Sequence, residues 1–277
     1  MILKGLYILP TPIGNLDDIS KRAIKILSLS DIILCEDTRH SLKLLNHLKL
    51  KKTLISYHKF NEKKINSKII QHLNEGKILT LISDAGTPTI SDPGKILINS
   101  CIDKNIRVLP IPGPSAVTSA ISISGFDTKF LFIGFLPKTE NQLKKKLSEL
   151  KSTEYSIVFF IPSIKINFYL KNFKNFFSGR KILIAREISK VHETFYRGEI
   201  DNIKLFKSQI KGELTVVISE KINKSNNLDI SKVSKEIRKY LKKYSLKDVV
   251  KIMTDKENIS KKTIYNLCLS IKNEKNN

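Results

Sequence analysis

Short apolar runs alternate with amphipathic stretches throughout the first 120 residues of the chain. An unbroken apolar run of about four to eight residues predicts a buried strand, and apolar residues spaced by three or four predict a helix. Five strands are predicted on this basis, each followed by a helix, at 5–11, 31–36, 53–57, 77–83 and 106–113. This order predicts a mostly parallel sheet with helices on both faces.

Capping residues predict where these helices begin and end. Gly76 closes the helix at 62–75, as the residue just beyond its C-terminus. Polar side chains and prolines that favour a first helical turn mark the other helix starts. The starts are assigned to Asp17 or Asp18, to Thr38, to Asp92 with Pro93, and to Pro114.

The next hundred residues predict a second α/β unit with a different order of elements. Strands are predicted at 129–135, 155–161, 180–186, 193–198 and 213–219, and helices at 139–150 and 163–175. Because no helix separates the two strands between 180 and 198, the sheet is predicted to be mixed or partly antiparallel. A polar linker is predicted at 221–229, followed by three short amphipathic helices.

We therefore predict an α/β protein of two domains, at 1–120 and 121–222, with a basic helical tail at 228–277. Ligands of open parallel sheets bind outside the carboxyl ends of the strands. The loops at those ends of the first sheet are rich in Pro, Gly and Asp, and we expect them to converge on one cleft. They are the loops 10–16, 36–39, 83–94 and 110–115.

Composition indicates a globular protein of a reducing compartment. Hydrophobic residues make up 41% of the chain, yet no apolar run approaches the roughly 20 residues of a membrane span. The N-terminus has neither the apolar core nor the cleavage site of a signal peptide. Cys35, Cys101 and Cys268 fit neither a disulfide framework nor a zinc site. We expect a cytoplasmic protein with no membrane partner and no metal.

The chain is strongly basic, with 49 Lys and Arg against 26 Asp and Glu and a formal net charge of +23. Such an excess favours polyanionic partners, nucleic acid first among them. Residues 224–277 alone carry 14 basic and 6 acidic residues. Lys, Ile and Asn are all frequent, however, as a biased genome composition would produce, so the charge permits a nucleic-acid substrate without demonstrating one.

The loop 83–94 carries the residues best suited to hold a ligand. It contains neither G-x-G-x-x-G nor G-x-x-x-x-G-K-[ST], so it is not a usual phosphate cradle. Asp84 offers a carboxylate to hydroxyls or to a cation, Gly86 allows close backbone approach, and Thr87 adds a hydroxyl. Asp92 is interpreted instead as a helix cap.

A cluster of charges at 35–41 follows the second strand. Glu36, Asp37, Arg39 and His40 lie at a predicted cleft, where they suit proton transfer or contact with RNA phosphates. The alternative is a solvated loop in which Thr38 caps the following helix. Weaker candidates, each open to a structural explanation, are Ser115 and Ala116 in a first helical turn, His58 and Asn61 at a strand end, and the charged stretch at 186–193 that includes His192 and Glu193.

Six segments together resemble the tetrapyrrole methylase family, in its branch that acts on ribosomal RNA. They are LYILPTPIGNLDDIS, CEDTR, ISDAGTPTISDPG, PIPGPSA, FLFIGFLP and REISKVHE with RGE. Relatives that act on porphyrin-like rings carry Gly-Asp-Pro where this chain has SDAGTP, which argues against the ring chemistry. The resemblance implies two α/β domains, a homodimer, and S-adenosylmethionine held in the cleft between the domains at a site of non-Rossmann type. The implied cofactor contacts are Pro12, Asp84, Ala85, Gly86, Thr87, Ser115, Ala116, Ile161, Ala185 and Glu213.

The reaction that the resemblance implies is methylation of the ribose 2′-hydroxyl of a cytidine, at position 1402 in the decoding region of 16S rRNA in the small ribosomal subunit. A ribose hydroxyl is a poor nucleophile at neutral pH, so a general base or a polarising cation is expected. Arg39, Glu36 and Asp37 are the candidates. Two other functions stay open: methylation of a tetrapyrrole or other small molecule, and RNA binding without catalysis by an assembly protein.

Overall fold

A computed structural model describes residues 3–221, 230–257 and 261–273 of the protein. The first five apolar runs form a parallel sheet in the order β3-β2-β4-β1-β5. The strands are shorter than the runs that predict them, because the ends of each run turn into loops. They are β1 (Gly5–Ile8), β2 (Ile32–Cys35), β3 (Thr53–Ser56), β4 (Ile78–Leu81) and β5 (Val108–Pro110).

A helix follows each of these strands; the first four cover both faces of the sheet, as the alternation of elements predicts, and the fifth packs against strands of the second sheet. Each buries one apolar stripe; the first, for example, buries Ala23, Ile26 and Leu27 at the spacing of one helical turn. Gly76 has a φ of +79° beyond the third helix, as the cap prediction requires. The helices are α1 (Lys21–Leu29), α2 (Thr38–His47), α3 (Glu62–Asn74), α4 (Lys95–Asp103) and α5 (Ala116–Ser122).

The predicted starts of α1 and α2 are wrong. Asp17 and Asp18 belong to a separate 3₁₀ turn, and the oxygen of Ser20 caps α1 by accepting the amide of Ala23 at 3.1 Å. Asp37 caps α2 by accepting the amide of Arg39 at 2.8 Å, so Thr38 is the first helical residue. In each case a neighbouring polar side chain reaches the free amides of the first turn from the extended backbone that a cap needs.

The predicted starts of α4 and α5 are wrong as well. Gly94, with a φ of +135°, precedes α4, and Asp92 caps nothing. The φ of Gly94 is not helical, so a helix cannot run from Pro93 through it, and α4 begins only at Lys95. Ser115 precedes α5, so the helix begins at Ala116, two residues later than the predicted start at Pro114.

A second sheet of five strands has the order β6-β7-β10-β8-β9. Only β6 and β7 are parallel, and the other three neighbouring pairs are antiparallel, so the prediction of a mixed sheet is confirmed. Helices α6 (Glu140–Leu150) and α7 (Ile166–Phe176) pack on it. The strands are β6 (Phe130–Phe135), β7 (Ser156–Pro162), β8 (Lys181–Arg186), β9 (Thr194–Glu199) and β10 (Glu213–Ile218).

Both sheets belong to one compact unit, Met1–Lys221, and a second unit spans Ile222–Asn277. The second unit contains α8 (Ile230–Tyr240), α9 (Leu246–Glu257) and α10 (Lys261–Asn273), with an apolar core of its own. Nearly all of the predicted linker, from residue 222 on, lies outside the described residues. Among the helices described, none is both long enough and apolar enough to cross a membrane.

Candidate functional site

A cavity of about 440 Å³ lies between the two sheets. All four loops predicted to converge contribute to it, so that prediction is confirmed. The first sheet supplies Ile13, Glu36, residues from Asp84 to Asp92, and Ser115 before α5. The second sheet supplies the opposite wall, which consists of Phe135 and the facing ends of β7 and β10.

Hydrogen bonds between loops fix the first wall. Thr11 and Gly86 form an isolated antiparallel bridge, with N···O distances of 2.9 and 3.0 Å. The Thr87 hydroxyl donates to the carbonyl of Pro114 at 3.1 Å, which ties the loop after β4 to the loop after β5. The loop after β2 is tied in turn, because the amide of Asp37 donates to Asp84 Oδ1 at 3.3 Å. The loops therefore hold one another in position before any ligand binds.

An ion-pair network fixes the second wall. Lys190 Nζ donates to Glu187 Oε1 at 2.9 Å and to Glu213 Oε2 at 3.0 Å. Burial alone would lower the pKa of Lys190, but the hydrogen bonds to both glutamates outweigh it and raise the pKa. Burial opposes ionisation of Glu187 too, yet the amide of Glu213 and the ammonium of Lys190 lower its pKa. Lys190 and Glu187 are therefore both charged at neutral pH.

The two walls also touch beside the cavity. A Cβ atom on Gly14 would lie 2.4 Å from Lys190 Cγ and 2.8 Å from the backbone of Ser189, so only glycine fits there. The Ser189 hydroxyl donates to Asp18 Oδ2 across the same contact. Glu187 and Ser189 have positive φ values of +53° and +67°, and Thr89 of the opposite wall has one of +70°; a positive φ strains the backbone of residues other than glycine. Such strain is found where surrounding structure holds a functional loop in place.

Every charged residue that lines the cavity is acidic: Glu36, Asp84, Asp92 and Glu213. Burial, together with the charges of Glu36 and Asp84, raises the pKa of Asp92 to about 6. No described residue donates a hydrogen bond to the Asp92 carboxylate. The cavity of this basic protein is thus a local concentration of negative charge, suited to a cation.

Eight of the ten residues predicted to contact the cofactor line this cavity: Asp84, Ala85, Gly86, Thr87, Ser115, Ala116, Ile161 and Glu213. The structure places Pro12 next to the lining but not in it, since its neighbour Ile13 faces the cavity. Ala185 is fully buried in β8, where it pairs with the lining residue Thr215 of β10. Contact with a cofactor stays a prediction for all ten residues.

The three predicted catalytic residues separate in the structure. Glu36 lines the cavity, whereas Arg39 Nη2 and Asp37 Oδ2 form an ion pair at 2.9 Å outside it. The hydrogen bonds from the Arg39 side chain and backbone lower the pKa of Asp37 to about 2, and the pairing raises the pKa of Arg39. Asp37 is therefore a weak proton acceptor at neutral pH.

The weaker candidates have structural partners. The Asn61 side chain accepts the amide of His58 and donates to Ser56, each at 2.9 Å, which shapes the turn after β3. The Glu193 carboxylate accepts the amide of Ser189 at 2.7 Å, and His192 is exposed. The described ranges contain no group of three or more His, Cys, Asp or Glu side chains that could hold a metal ion.

Asp92 is the main residue that sequence reasoning missed. An aspartate before a proline reads as a helix cap, and that interpretation hid a carboxylate that faces the cavity. Its place in the same short loop as Asp84 was the available signal. Phe135 and Phe160 were missed too, because apolar residues at strand ends look like core.

Comparison with known proteins places the chain in a family. Residues 5–204 match the family model described as Tetrapyrrole (Corrin/Porphyrin) Methylases. The chain belongs to the tetrapyrrole methylase family. Several curated tetrapyrrole methylase relatives carry the name ribosomal RNA small subunit methyltransferase I. One from Mesomycoplasma conjunctivae is 45% identical over 80% of this chain and 94% of its own. Another, from Rickettsia prowazekii, is 40% identical over 96% of this chain and 97% of its own.

Solved structures of tetrapyrrole methylases share the fold. The methyltransferase CobJ superposes with a TM-score of 0.60 at 16% identity, over 78% of this chain and 94% of its own. Uroporphyrin-III C-methyltransferase from Thermus thermophilus, complexed with S-adenosyl homocysteine, superposes with a TM-score of 0.56 at 12% identity, over 78% of this chain and 97% of its own. The predicted fold class, two α/β sheets of the tetrapyrrole methylase type followed by C-terminal helices, is confirmed.

Proposed function

We propose that this methyltransferase uses S-adenosylmethionine to methylate the ribose 2′-hydroxyl of a cytidine, at position 1402, in 16S rRNA of the small ribosomal subunit. The names of relatives 40–45% identical over most of the chain support the rRNA substrate. We expect the protein to act in the cytoplasm as a homodimer. The observation that carries the proposal is the acidic cavity in which the family's motifs meet.

The cavity fits the cofactor in size and in charge. Ligand pockets typically measure about 300–1,000 Å³, and this cavity lies within that range. S-adenosylmethionine carries positive charge on its sulfur and on its amino group, so the four carboxylates that line the cavity suit it. Asp84 and Glu213 would hold it from opposite walls, and Phe160 and Ile161 supply apolar surface between them.

When bound, the cofactor supplies a methyl group on a sulfonium sulfur, an electrophile that needs no metal. The protein must then align the ribose oxygen in line with that group and exclude water. The hydrogen bonds and ion pairs that fix the loops of both walls support this proposal, because fixed loops can hold the reactants in one orientation. As the oxygen takes up the methyl group, its proton must pass to a base.

Glu36 and Asp92 are the carboxylates placed to receive that proton. Both line the cavity, and a base is most effective when its pKa lies near the working pH. The pKa of Asp92, raised to about 6 by burial and by its acidic neighbours, satisfies that condition. Asp37 and Arg39 neutralise one another and would act at the entrance, where Arg39 can contact a phosphate.

The test is methyl transfer from labelled S-adenosylmethionine to small ribosomal subunits that lack the modification. Digestion of the product RNA to nucleosides should yield labelled 2′-O-methylcytidine, and primer extension should stop at one nucleotide. Labelled base-methylated cytidine would overturn the ribose assignment. Methylation of uroporphyrinogen and not of RNA would establish the small-molecule alternative. Tight RNA binding without uptake of the cofactor would establish the non-catalytic one.

A further inference from the structure

The turn that follows β3 displays an aromatic ring that no core contact explains. Phe60 is 84% exposed, the largest value for any aromatic side chain among the described residues. Exposing a phenylalanine ring to water is unfavourable by about 1.5–3 kcal/mol relative to burial. A ring held in this position is available for contact with a partner, and its neighbours indicate which kind of partner it suits.

The turn is rigid, although its ring is exposed. The amides of Asn61 and Glu62 both donate to the carbonyl of His58 at 2.9 Å. The Asn61 side chain bonds the backbone of Ser56 and His58, where the turn begins, and the amide of Phe60 donates to His58 Nδ1 at 3.3 Å. The position of the ring is therefore set before a partner arrives, which reduces the entropy lost on binding.

Cationic or ionisable side chains surround the ring. Lys59 Nζ lies 4.8 Å from the Phe60 centroid, and the His58 ring packs edge-on at 6.0 Å. An apolar protein partner would need a contiguous apolar patch, and these neighbours interrupt one. A nucleobase stacks on a single ring while the adjacent cations contact its phosphates, which is how proteins bind single-stranded RNA.

The turn begins beside Glu36, a residue that lines the cavity. Strands β2 and β3 are parallel neighbours, with Cys35 opposite Ser56. At the ends of these strands, the amide of Tyr57 donates to the carbonyl of Cys35 at 2.8 Å. The Ser56 hydroxyl donates to the carbonyl of Glu36 at 3.3 Å. Glu36 lines the cavity, so the turn and the reaction site share adjacent strand ends.

We propose that Phe60 is a stacking platform for an unpaired nucleobase of the RNA substrate, with Lys59 beside it on the RNA backbone. This inference rests on the proposed function, since it assumes an RNA acceptor. It adds a substrate-binding site beyond the end of the edge strand β3, which neighbours the strand that leads to Glu36 of the cavity. It also accounts for a basic turn that the cofactor does not need.

The test compares Phe60→Ala with Phe60→Trp in methylation of small ribosomal subunits. Base stacking on an aromatic ring is worth enough that Phe60→Ala should raise KM for the subunit by about 5- to 100-fold, with kcat changed less. Phe60→Trp keeps a stacking surface and should restore KM. Both variants should bind S-adenosylmethionine as the wild type does in calorimetry. Ile102→Ala, which removes another exposed apolar side chain at the far end of α4, is the matched control.

Each outcome decides between the two proposals. If the wild type methylates subunits and Phe60→Ala has an unchanged KM, the stacking site is wrong and the proposed function stands. If Phe60→Trp fails to rescue, or if either variant loses the cofactor, Phe60 has a structural role. A defect with intact subunits that disappears with a short single-stranded RNA of the same sequence would assign Phe60 to a ribosomal protein instead. No RNA methylation by the wild type overturns the proposed function itself.

Discussion

The cavity and the C-terminal unit of this protein differ in both charge and construction. All four charged residues of the cavity lining are acidic, and the loops that carry them are strained and cross-linked by hydrogen bonds. In α8–α10 and their connections, exposed Lys and Arg outnumber exposed acidic side chains by eleven to two among the described residues. Those helices are plain amphipathic helices around a small apolar core.

This difference shows how composition and site geometry constrain a sequence separately. A bias towards lysine fills exposed positions, where a charge is solvated and nearly neutral for stability. No lysine lines the cavity, where an ammonium group would repel a cationic ligand. The net charge of +23 therefore comes from the surface, whereas the charged residues of the cavity lining are acidic.

Asp84→Ala, which removes a carboxylate from the acidic cavity, should have the largest effect on cofactor affinity. The described hydrogen-bond partner of this half-buried carboxylate is the amide of Asp37, and we propose that its main role is to hold the cofactor. Loss of a charge-assisted contact in a cavity should weaken S-adenosylmethionine binding by about 100-fold or more. Calorimetry measures the affinity, and circular dichroism should show an unchanged fold. Asp103→Ala, at an exposed aspartate of α4, is the control; binding within twofold of wild type in Asp84→Ala would contradict the assignment.

Asp92→Asn should lower the methylation rate by about 100-fold, the usual effect of losing a general base. The rate of the wild type should rise with pH through an inflection at or below about 6, because the base must be ionised and the cationic cofactor favours that form. The variant should lack this inflection. If the inflection persists, Glu36 is the base, and Glu36→Gln should remove it.

The same substitution should stabilise the protein at neutral pH. Burial and acidic neighbours raise the pKa of Asp92 to about 6, so the folded state retains its proton more tightly than the unfolded state. In the wild type, the stabilisation that comes from this bound proton is complete below pH about 4 and is lost as pH rises through about 6. At pH 8, Asp92→Asn should therefore be more stable by about 1–2 kcal/mol after allowance for solvent screening. Urea titrations at pH 8 and pH 4 measure this, and the two proteins should converge at pH 4.

Gly212→Ala tests whether the second wall requires its present backbone. Gly212 has a φ of +103°, and an added Cβ would lie 2.5 Å from Glu187 Cδ, within the ion-pair network. Strain and displacement of Glu187 should together destabilise the protein by about 3 kcal/mol. Gly179→Ala has a similar φ of +78° but open space around it, so it should cost only about 1 kcal/mol. Equal losses in the two variants would show that strain alone acts.

The sequence predicts the sheets of this protein better than its loops. Apolar runs locate strands such as β2, because a strand that is buried on both faces needs consecutive apolar residues, as at Ile32–Cys35. Helix starts are predicted less well, since Asp37 and Thr38 are both good caps and only the local backbone selects one. The path of the loop 83–94 depends on contacts with other loops, such as Thr87 with Pro114, which no local rule contains. Asp84 lies near the end of β4 and could therefore be assigned to the cavity, whereas the position of Asp92 depends on such contacts and could not be predicted.

A triple substitution in the C-terminal unit tests the basic side of the comparison and should have the smallest effect. Lys239, Lys242 and Lys243 are exposed in and after α8. If they contact RNA phosphates, changing all three to Gln should raise KM for the small subunit by about 10-fold and reduce the slope of log affinity against log salt by up to about 2. Methylation assays and filter binding at several salt concentrations measure both quantities.

Two results would separate an RNA contact from a solvated surface. The triple change to Arg keeps the charge and should behave as the wild type, because counterion release depends on charge and not on the shape of the cation. Affinity for S-adenosylmethionine should stay constant in both variants, since these lysines do not line the cavity. If the Gln variant keeps the salt slope of the wild type, the charge of this unit reflects composition alone. RNA recognition would then depend on the turn after β3 and on Arg39, at the entrance of the acidic cavity.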